Sequence, residues 1–136
     1  MTRGKLIDDD LSGSVIGAFY EVYSELGHGF LEHVHVKAME RELSIRGHVV
    51  AREYPVTVFY KGEDICQQRL DMLVDNRLIV EVKSSLVLPP TAVRQLCNYL
   101  RATDFEVGLV LHFGAEPRFY RKVMSNSGKR RFPKNV

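Results

Sequence analysis

The hydrophobic pattern of this 136-residue chain alternates between a helical and an extended period. Apolar residues recur about every 3.6 positions from Leu11 to Leu26, which predicts a helix that ends at residues 27–29, where glycines flank a histidine. Asp8 precedes it as a candidate N-cap. A second helix is predicted from about Leu31 to Arg46 and stops at Gly47. Its expected apolar stripe is Leu31, Val34, Ala38 and Leu43.

From His48 onward the period changes to two, which is typical of strands. The β-rich residues 56–60, a turn at residues 61–62 and a return strand up to Val74 predict a hairpin. Residues 78–83 predict a third strand. Pro55 has no N–H for the ladder, so it must lie at a bulge or on an edge strand.

A helix is predicted from about Thr91 to Ala102, followed by a well-covered strand at residues 107–113 and a last edge strand at residues 119–124. The order of helix, helix, three strands, helix and one or two strands predicts an α/β or α+β fold. We expect a single mixed sheet flanked by helices. Without a linker or repeat, residues 1–124 are predicted to form one domain.

Three charged side chains interrupt the apolar pattern of the second and third strands. Asp71 lies in the second strand, and Glu81 and Lys83 lie two positions apart in the third, so that these two share a face. A carboxylate followed by Glu-x-Lys is a compact way to hold a divalent cation beside an ammonium group. The hairpin of residues 69–83 is therefore the candidate chemical centre of the chain.

The turn of this hairpin decides whether Asp71 shares the face of Glu81. A two-residue turn would pair Asp71 with Val80 and place it on the opposite face. A three-residue turn, residues 75–77, pairs Asp71 with Glu81, with their Cβ atoms about 5 Å apart. Two carboxylates that close repel each other unless a cation lies between them. We therefore predict a three-residue turn, or an equivalent bulge, together with a metal ion.

The oxygen ligands of Asp71 and Glu81 suit Mg²⁺ or Mn²⁺. Such an ion would activate a water molecule and neutralise charge on a phosphodiester, while Lys83 would position that water or stabilise the developing charge. A plainer interpretation also fits: a solvated Asp71, and Glu-Val-Lys as the exposed face of a half-buried strand. Short motifs of this kind do not choose between the two.

Composition adds boundaries to this interpretation. Hydrophobic residues are 45% and charged residues 26%, as in ordinary globular proteins. No apolar run approaches the roughly 20 residues that span a bilayer, and the N-terminus turns acidic where a signal peptide needs its apolar segment. We expect a cytoplasmic protein that does not enter a membrane. Cys66 and Cys97 lie in apolar contexts and are predicted to be buried thiols.

The net charge of +2 comes from the C-terminal end, which contains Lys129, Arg130, Arg131 and Lys134 and no acid. The rest of the chain is slightly acidic, so the protein is not a globally basic nucleic-acid binder. Residues 125–136 are predicted to form a flexible basic tail, which either contacts phosphates or only aids solubility.

Other charged side chains would matter only if they cluster near the hairpin. The candidate phosphate contacts are Lys61, Arg69, Arg94 and Arg101. Arg69 has the best case because period two places it on the strand face of Asp71. Glu53 is either a supporting acid or an exposed strand residue.

Seven short segments carry a family resemblance that covers roughly residues 11–113. They are residues 26–32, 40–47, 58–62, 69–71, 79–83, 95–100 and 108–114. In this combination the chain resembles the bacterial and archaeal GxxExxY proteins, which are placed in the PD-(D/E)XK nuclease superfamily. The resemblance implies a restriction-endonuclease-like core, with a mixed sheet between helices and the Asp and Glu-x-Lys residues at one end.

The resemblance also implies further site residues. Glu32 would join the site as an additional acid and metal ligand. Gln95 and Tyr99 correspond to a Gln-x-x-x-Tyr pattern of some nucleases in this superfamily, and their spacing of four gives them one helical face. His35 occupies the position of the family's tyrosine, so no tyrosine role carries over.

The leading hypothesis is a Mg²⁺- or Mn²⁺-dependent nuclease that acts on nucleic acid, with DNA as the expected substrate. Its catalytic residues would be Lys83, Glu81, Asp71, Glu32, Gln95 and Tyr99, and its metal ligands Asp71, Glu81 and Glu32. The alternative is a catalytically silent nuclease-like fold that binds nucleic acid or protein. A homodimer that cuts two strands stays open.

Overall fold

Eight main elements follow one another along residues 8–129, the part of the chain that the structure, a computed structural model, describes. They are helices α1 (Asp9–Leu26) and α2 (Glu32–Ile45), strands β1 (Val50–Tyr60), β2 (Glu63–Val74) and β3 (Leu78–Lys83), helix α3 (Ala92–Ala102), and strands β4 (Val107–Phe113) and β5 (Pro117–Val123). A short 3₁₀ turn at Asn126–Gly128 follows β5. The element order predicted from the sequence is confirmed.

The five strands form one mixed sheet in the order β1-β2-β3-β4-β5. Strands β3 and β4 are parallel, and the other three neighbouring pairs are antiparallel. Every residue of β4 is buried, as its almost entirely apolar sequence predicts. Pro55 lies in β1, an edge strand, where its missing N–H leaves no gap in the sheet interior. The predicted single mixed sheet flanked by helices, of the α+β class, is confirmed.

Alternate side chains of the sheet pack against helices on opposite faces. Leu78, Val80 and Val82 of β3 share a buried cluster with residues of α1 and α2. Ile79 belongs to a second cluster, which contains Leu96, Tyr99 and Leu100 of α3. Burying one Leu, Ile or Phe contributes about 1.5–3 kcal/mol. Because Glu81 lies two positions after Ile79, period two directs it to the α3 face.

The turn between β2 and β3 has three residues. Val74 pairs with Leu78, so residues 75–77 form the connection that we predicted. Asp75 and Asn76 take left-handed backbone conformations, with φ of 51° and 56°. Among residues with a Cβ, Asp and Asn tolerate this region best, which explains why this dipeptide makes the turn. The register brings Asp71 opposite Glu81.

Helix α2 forms where it was expected, and its predicted apolar stripe is confirmed in part, since Leu43 is buried and Ala38 packs against the core. Its buried residues are His35, Val36, Met39 and Leu43. Leu31, the first residue of the expected stripe, is 71% exposed. His35, which the predicted stripe did not include, is buried with hydrogen-bond partners on both ring nitrogens.

The segment that was expected to be a flexible tail is ordered where the structure describes it. Residues 125–129 return to the body of the protein, and the Lys129 ammonium donates to the carbonyl oxygens of Thr103 and Phe105 at 2.8 and 2.6 Å. Lys129 is therefore committed to the fold. Residues 130–136, with the other cations of the expected tail, lie outside the described residues.

Two smaller expectations also change. Cys66 is exposed, because it lies in the outer part of β2 that pairs only with β1, while Cys97 is partly buried. Asp8 occupies the N-cap position without capping the helix. Its carboxylate instead forms an ion pair with Arg77, with 3.0 Å between Asp8 Oδ1 and Arg77 Nη1. No helix within residues 8–129 is long and apolar enough to cross a membrane.

Candidate active site

Asp71 and Glu81 meet at the open end of the β2–β3 hairpin. The backbone ladder stops one pair earlier, at Met72 and Val80. Side chains replace it: the Asp71 N–H donates to Glu81 Oε2 at 2.8 Å, and the Val82 N–H donates to Asp71 Oδ2 at 2.8 Å. These crossed bonds hold the two carboxylates side by side. Each carboxylate retains its second oxygen for another ligand.

A backbone break in β1 accompanies this arrangement. The β1–β2 ladder skips the pair of Glu53 and Asp71, and Glu53 has a left-handed φ of 52°. Leu70 and Leu73 pack in the same α3-side cluster although they are three positions apart, so strand alternation breaks at Asp71. A non-glycine residue in this region costs about 1–2 kcal/mol. The sequence carried no signal for it, because Glu53 sits in an otherwise regular strand pattern.

The environment of both carboxylates favours their protonated forms. Burial, and then repulsion by Asp71, raises the pKa of Glu81 to about 8, although the Asp71 N–H and Lys83 oppose this shift. Burial also raises the pKa of Asp71, against the Val82 N–H and the charges of Lys83 and Arg52. Two neighbouring acids of this kind cannot both ionise at low cost unless a cation joins them.

Glu32 and Lys83 complete the charged group. Partial burial raises the pKa of Glu32, while the Lys83 ammonium lowers it and the Asp71 carboxylate raises it. The backbone N–H of Ser84 also lowers the pKa of Glu32. The first turn of α2 therefore meets the end of β3. The structure brings together the four charged residues that the sequence singled out.

Gln95 and Tyr99 lie on one face of α3, as predicted. Gln95 Nε2 donates to the Tyr99 hydroxyl oxygen at 2.7 Å. Burial raises the pKa of Tyr99, and the charges of Glu81 and Asp71 raise it further. Tyr99 thus lies within electrostatic reach of the carboxylate pair. Its hydroxyl hydrogen is free to donate elsewhere, since Gln95 supplies a donor to the oxygen.

A cleft of about 230 Å³ borders the carboxylates on the α2 side. Its lining residues are Glu32, His33, Val36, Arg52, Glu53, Arg69, Leu70 and Asp71. Arg52 is anchored by an ion pair with Glu40 at 3.1 Å. Of the four cations that the sequence offered as phosphate contacts, Arg69 is the one that lines this cleft. Arginines and acids of the site therefore line the same cleft.

The carboxylates of this site are donors that suit a divalent cation. Within residues 8–129, no three Asp, Glu, His or Cys side chains already surround one metal-sized point. The carboxylates of Asp71 and Glu81 nevertheless suit such an ion, because they are hard oxygen donors. Both are buried, and their raised pKa values show that neighbouring groups do not fully stabilise their ionised forms. Glu32 shares their electrostatic environment, since its charge contributes to the raised pKa of Glu81 and the charge of Asp71 raises the pKa of Glu32.

The sequence did not identify two residues that support this site. His35 and Ser84 bond to each other, at 2.6 Å between Nδ1 and Oγ. A signal was present, since Ser84 directly follows the Glu-x-Lys segment and His35 lies three positions after Glu32. Their proximity, however, is a tertiary contact between α2 and the end of β3.

Comparison with known proteins gives one match. A family model described as the PD-(D/E)XK nuclease superfamily matches residues 9–123, from α1 to β5. This range contains all the candidate site residues described above. No curated protein and no solved structure matched the chain. The match agrees with the superfamily implied by the sequence resemblance, while the narrower GxxExxY assignment stays a prediction.

Proposed function

The chain belongs to the PD-(D/E)XK nuclease superfamily, and from this premise we propose that it is a divalent-metal-dependent nuclease. It hydrolyses phosphodiester bonds of nucleic acid, with DNA as the expected substrate and Mg²⁺ or Mn²⁺ as the cofactor. The observation that carries the proposal is the pairing of Asp71 and Glu81 at the open end of the hairpin, with Lys83 two residues beyond.

In this proposal Asp71, Glu81 and Glu32 hold the cation through carboxylate oxygens. When bound, the cation lowers the pKa of a water molecule and neutralises charge on the phosphodiester. The acids do not ionise freely in their own environment, since Glu81 has a pKa of about 8. Binding of the cation would therefore be coupled to loss of a proton from this pair.

Lys83 supplies a positive charge on the β3 side of the site. Its ammonium orients the attacking water and stabilises the negative charge that builds on the phosphoryl oxygens. One P–O bond forms to the water oxygen and one breaks to the leaving oxygen, which takes up a proton. The products are a phosphate monoester and a free hydroxyl group.

Gln95 and Tyr99 orient the reacting groups from the α3 side, through the Tyr99 hydroxyl that Gln95 holds in place. On the α2 side, Arg52 and Arg69 line the cleft beside Asp71. These guanidinium groups suit the phosphates that flank the cleaved bond, because they donate several hydrogen bonds in a fixed geometry. This local cationic surface offsets the slightly acidic body of the protein.

A second candidate function has its own observation. The crossed hydrogen bonds of Asp71 and Glu81 cap the splayed strand ends without any cation. Under this alternative, the carboxylates are a structural device, and the fold binds nucleic acid or protein without cutting it. The raised pKa of Glu81 favours the enzyme, since a purely structural cap has no need of two buried acids.

The test is a cleavage assay on labelled single- and double-stranded DNA and RNA, with Mg²⁺, Mn²⁺ or EDTA. Wild type should cleave only with metal, and Lys83→Ala and Glu81→Ala should each lose at least about a hundredfold in rate. Lys122→Ala and Glu116→Ala are matched controls on and before β5, at the far edge of the sheet, and should keep the wild-type rate.

The enzyme assignment fails if wild type and the site variants show the same trace activity. Binding of an oligonucleotide by a wild-type protein that never cuts it would instead support the second candidate. The choice between DNA and RNA follows from the same assay, as the ratio of the two rates.

A further inference from the structure

His35 is a fully buried histidine that lies one turn after Glu32 in α2. Its ring stacks on Phe113, with centroids 3.9 Å apart and planes 11° from parallel. Phe30 meets the ring edge-on at 5.9 Å. Burial lowers the pKa of His35, so the imidazole is neutral near pH 7. A neutral buried imidazole has one donor and one acceptor to satisfy.

Both ring nitrogens have a partner, and the partners fix the tautomer. Nε2 lies 3.0 Å from the carbonyl oxygen of Gly27, which can only accept, so Nε2 carries the hydrogen. Nδ1 is then the acceptor, and it lies 2.6 Å from Ser84 Oγ, which donates its hydroxyl hydrogen. His35 thereby joins the end of α1 to the residue that follows β3.

Ser84 is held by α2 at two points. Its hydroxyl donates to His35 at 2.6 Å, and its backbone N–H lies near enough to the Glu32 carboxylate to lower the pKa of that acid. Glu32 and His35 are three positions apart, so they lie on the same face of the helix. Ser84 is also the next residue after Lys83. The distance between the Glu32 carboxylate and the Lys83 backbone is therefore set through Ser84.

We propose that His35 is a positioning residue of the active site, which acts through the Ser84 hydroxyl to hold Glu32 and Lys83 in their reactive arrangement. This inference rests on the proposed nuclease function. It gives a role to the residue that stands where the GxxExxY proteins, which the chain resembles, have tyrosine. His35 itself touches neither substrate nor cation.

Two amide variants separate the two hydrogen bonds of His35. In asparagine the side-chain oxygen is attached to the γ carbon, as Nδ1 is in histidine, so His35→Asn retains an acceptor for Ser84. In glutamine the amide nitrogen is one bond further out, as Nε2 is, so His35→Gln retains the donor to Gly27. Both variants lose the stacking on Phe113, and Asn, which is one methylene smaller than Gln, loses more packing, so packing alone would make His35→Asn the more damaged variant.

A serine pair provides a gentler version of the same test. Ser84→Ala removes the hydroxyl and keeps the backbone N–H that lowers the pKa of Glu32. Ser85→Ala is the matched control one residue later, because the Ser85 hydroxyl donates to the Val87 carbonyl at 2.8 Å, outside the His35 contacts. All four variants are compared with wild type for kcat, KM, Mn²⁺ affinity of the metal-free protein, and amide hydrogen exchange at residue 84.

His35→Gln and Ser84→Ala should each lower kcat and Mn²⁺ affinity about tenfold, with KM for the oligonucleotide nearly unchanged. Exchange at residue 84 should accelerate in both. His35→Asn should stay within about threefold of wild type, and Ser85→Ala should match it. Equal losses in the Asn and Gln variants, or equal behaviour of the two serine variants, overturn the inference while wild-type cleavage keeps the nuclease assignment. A wild type that neither binds Mn²⁺ nor cleaves overturns both.

Discussion

The two ends of the β2–β3 hairpin carry the same type of side chain in opposite surroundings. At the turn, the two oxygens of Asp75 accept from His48 Nδ1 at 2.7 Å and from the Val49 N–H at 2.8 Å. Burial alone would raise the pKa of Asp75, but these hydrogen bonds and the charges of His48 and Arg77 outweigh it and lower the pKa. The turn carboxylate is satisfied within the protein.

At the open end of the hairpin, the effects that raise the pKa of a carboxyl group outweigh those that lower it. Burial and repulsion raise the pKa values of Asp71 and Glu81, and the nearby Lys83 does not compensate for them. The two ends of the hairpin therefore have different roles. The turn carboxylate stabilises the register, and the register then holds two carboxylates together at a cost that a cation would remove.

The turn end is a structural clasp although it has the hydrogen-bond order of a hydrolase triad. Ser14 Oγ lies 2.7 Å from His48 Nε2, and His48 continues to Asp75. Ser14 lies inside α1, where backbone N–H groups bond within the helix, so no backbone donors are directed to an oxyanion beside its hydroxyl. The three residues instead tie α1, the α2–β1 loop and the turn together.

The largest expected effect comes from neutralising the open end. Glu81→Gln should lower the cleavage rate at least about a hundredfold, because an amide is a poor ligand for a divalent cation. The same change should raise the free energy of unfolding of the metal-free protein at pH 9 by roughly 1 kcal/mol or more, since it removes a buried repulsion. Cleavage assays and denaturant titrations measure the two quantities.

The matched change at the turn is Asp75→Asn. It should lower the free energy of unfolding by about 1–3 kcal/mol, because it weakens a charged hydrogen bond to His48. If Glu81→Gln and Asp75→Asn shift stability in the same direction, the two ends do not differ as described.

The pH dependence of stability should show the same contrast. Glu81 has a folded pKa of about 8, above its ordinary value, so the folded state binds more protons than the unfolded state between about pH 4.5 and 8. Stability of the metal-free protein therefore falls as pH rises through this window, by at most about 1.36 kcal/mol per pH unit for one proton.

Asp75 contributes with the opposite sign. Its folded pKa is lowered, so its contribution is present above its ordinary pKa and is lost as pH falls into the acid range. Chemical denaturation between pH 3 and 9 should show the falling limb in wild type and its loss in Glu81→Gln. A falling limb that survives in Glu81→Gln would assign it to another group.

The smallest expected effect is at the outer member of the clasp. Ser14→Ala should lower the free energy of unfolding by about 0.5–1.5 kcal/mol, because it removes one partner of a hydrogen bond with His48. The cleavage rate should stay at the wild-type value. Ser24→Ala changes an exposed serine of the same helix and controls for helix propensity. A large loss of cleavage in Ser14→Ala would mean that the clasp has a chemical role.

The register of the hairpin could be predicted from the sequence because two local rules agree. Period two places Glu81 and Lys83 on one face, and a dipeptide that tolerates left-handed φ, Asp75-Asn76, allows a three-residue turn. A three-residue turn places Asp71 opposite Glu81, and the repulsion between these carboxylates is the reason why a metal ion was predicted together with the turn. The meeting of Glu32, Gln95 and Tyr99 with this pair followed from the family resemblance and not from the residues alone.

The supporting contacts could not be predicted, because they join distant parts of the chain. No buried position was predicted for His35, and its partners lie 8 and 49 positions away. Glu53 has a left-handed backbone conformation, which glutamate disfavours and which the surrounding structure stabilises. The local sequence therefore does not predict this conformation. The thiol of Cys66 is exposed because the outer part of β2 extends beyond its pairing with β3. The extent of that pairing depends on where β3 ends, which the residues around Cys66 do not indicate.

Calorimetric titration of Mn²⁺ into the metal-free protein at pH 7 tests the central claim most directly. Performed in two buffers of different ionisation enthalpy, it reports both the affinity and the protons released. Because pH 7 lies below the pKa of about 8 for Glu81, binding should release close to one proton per chain. Glu81→Gln should bind weakly and release none. Absence of binding, or an identical proton release in wild type and Glu81→Gln, would contradict the account.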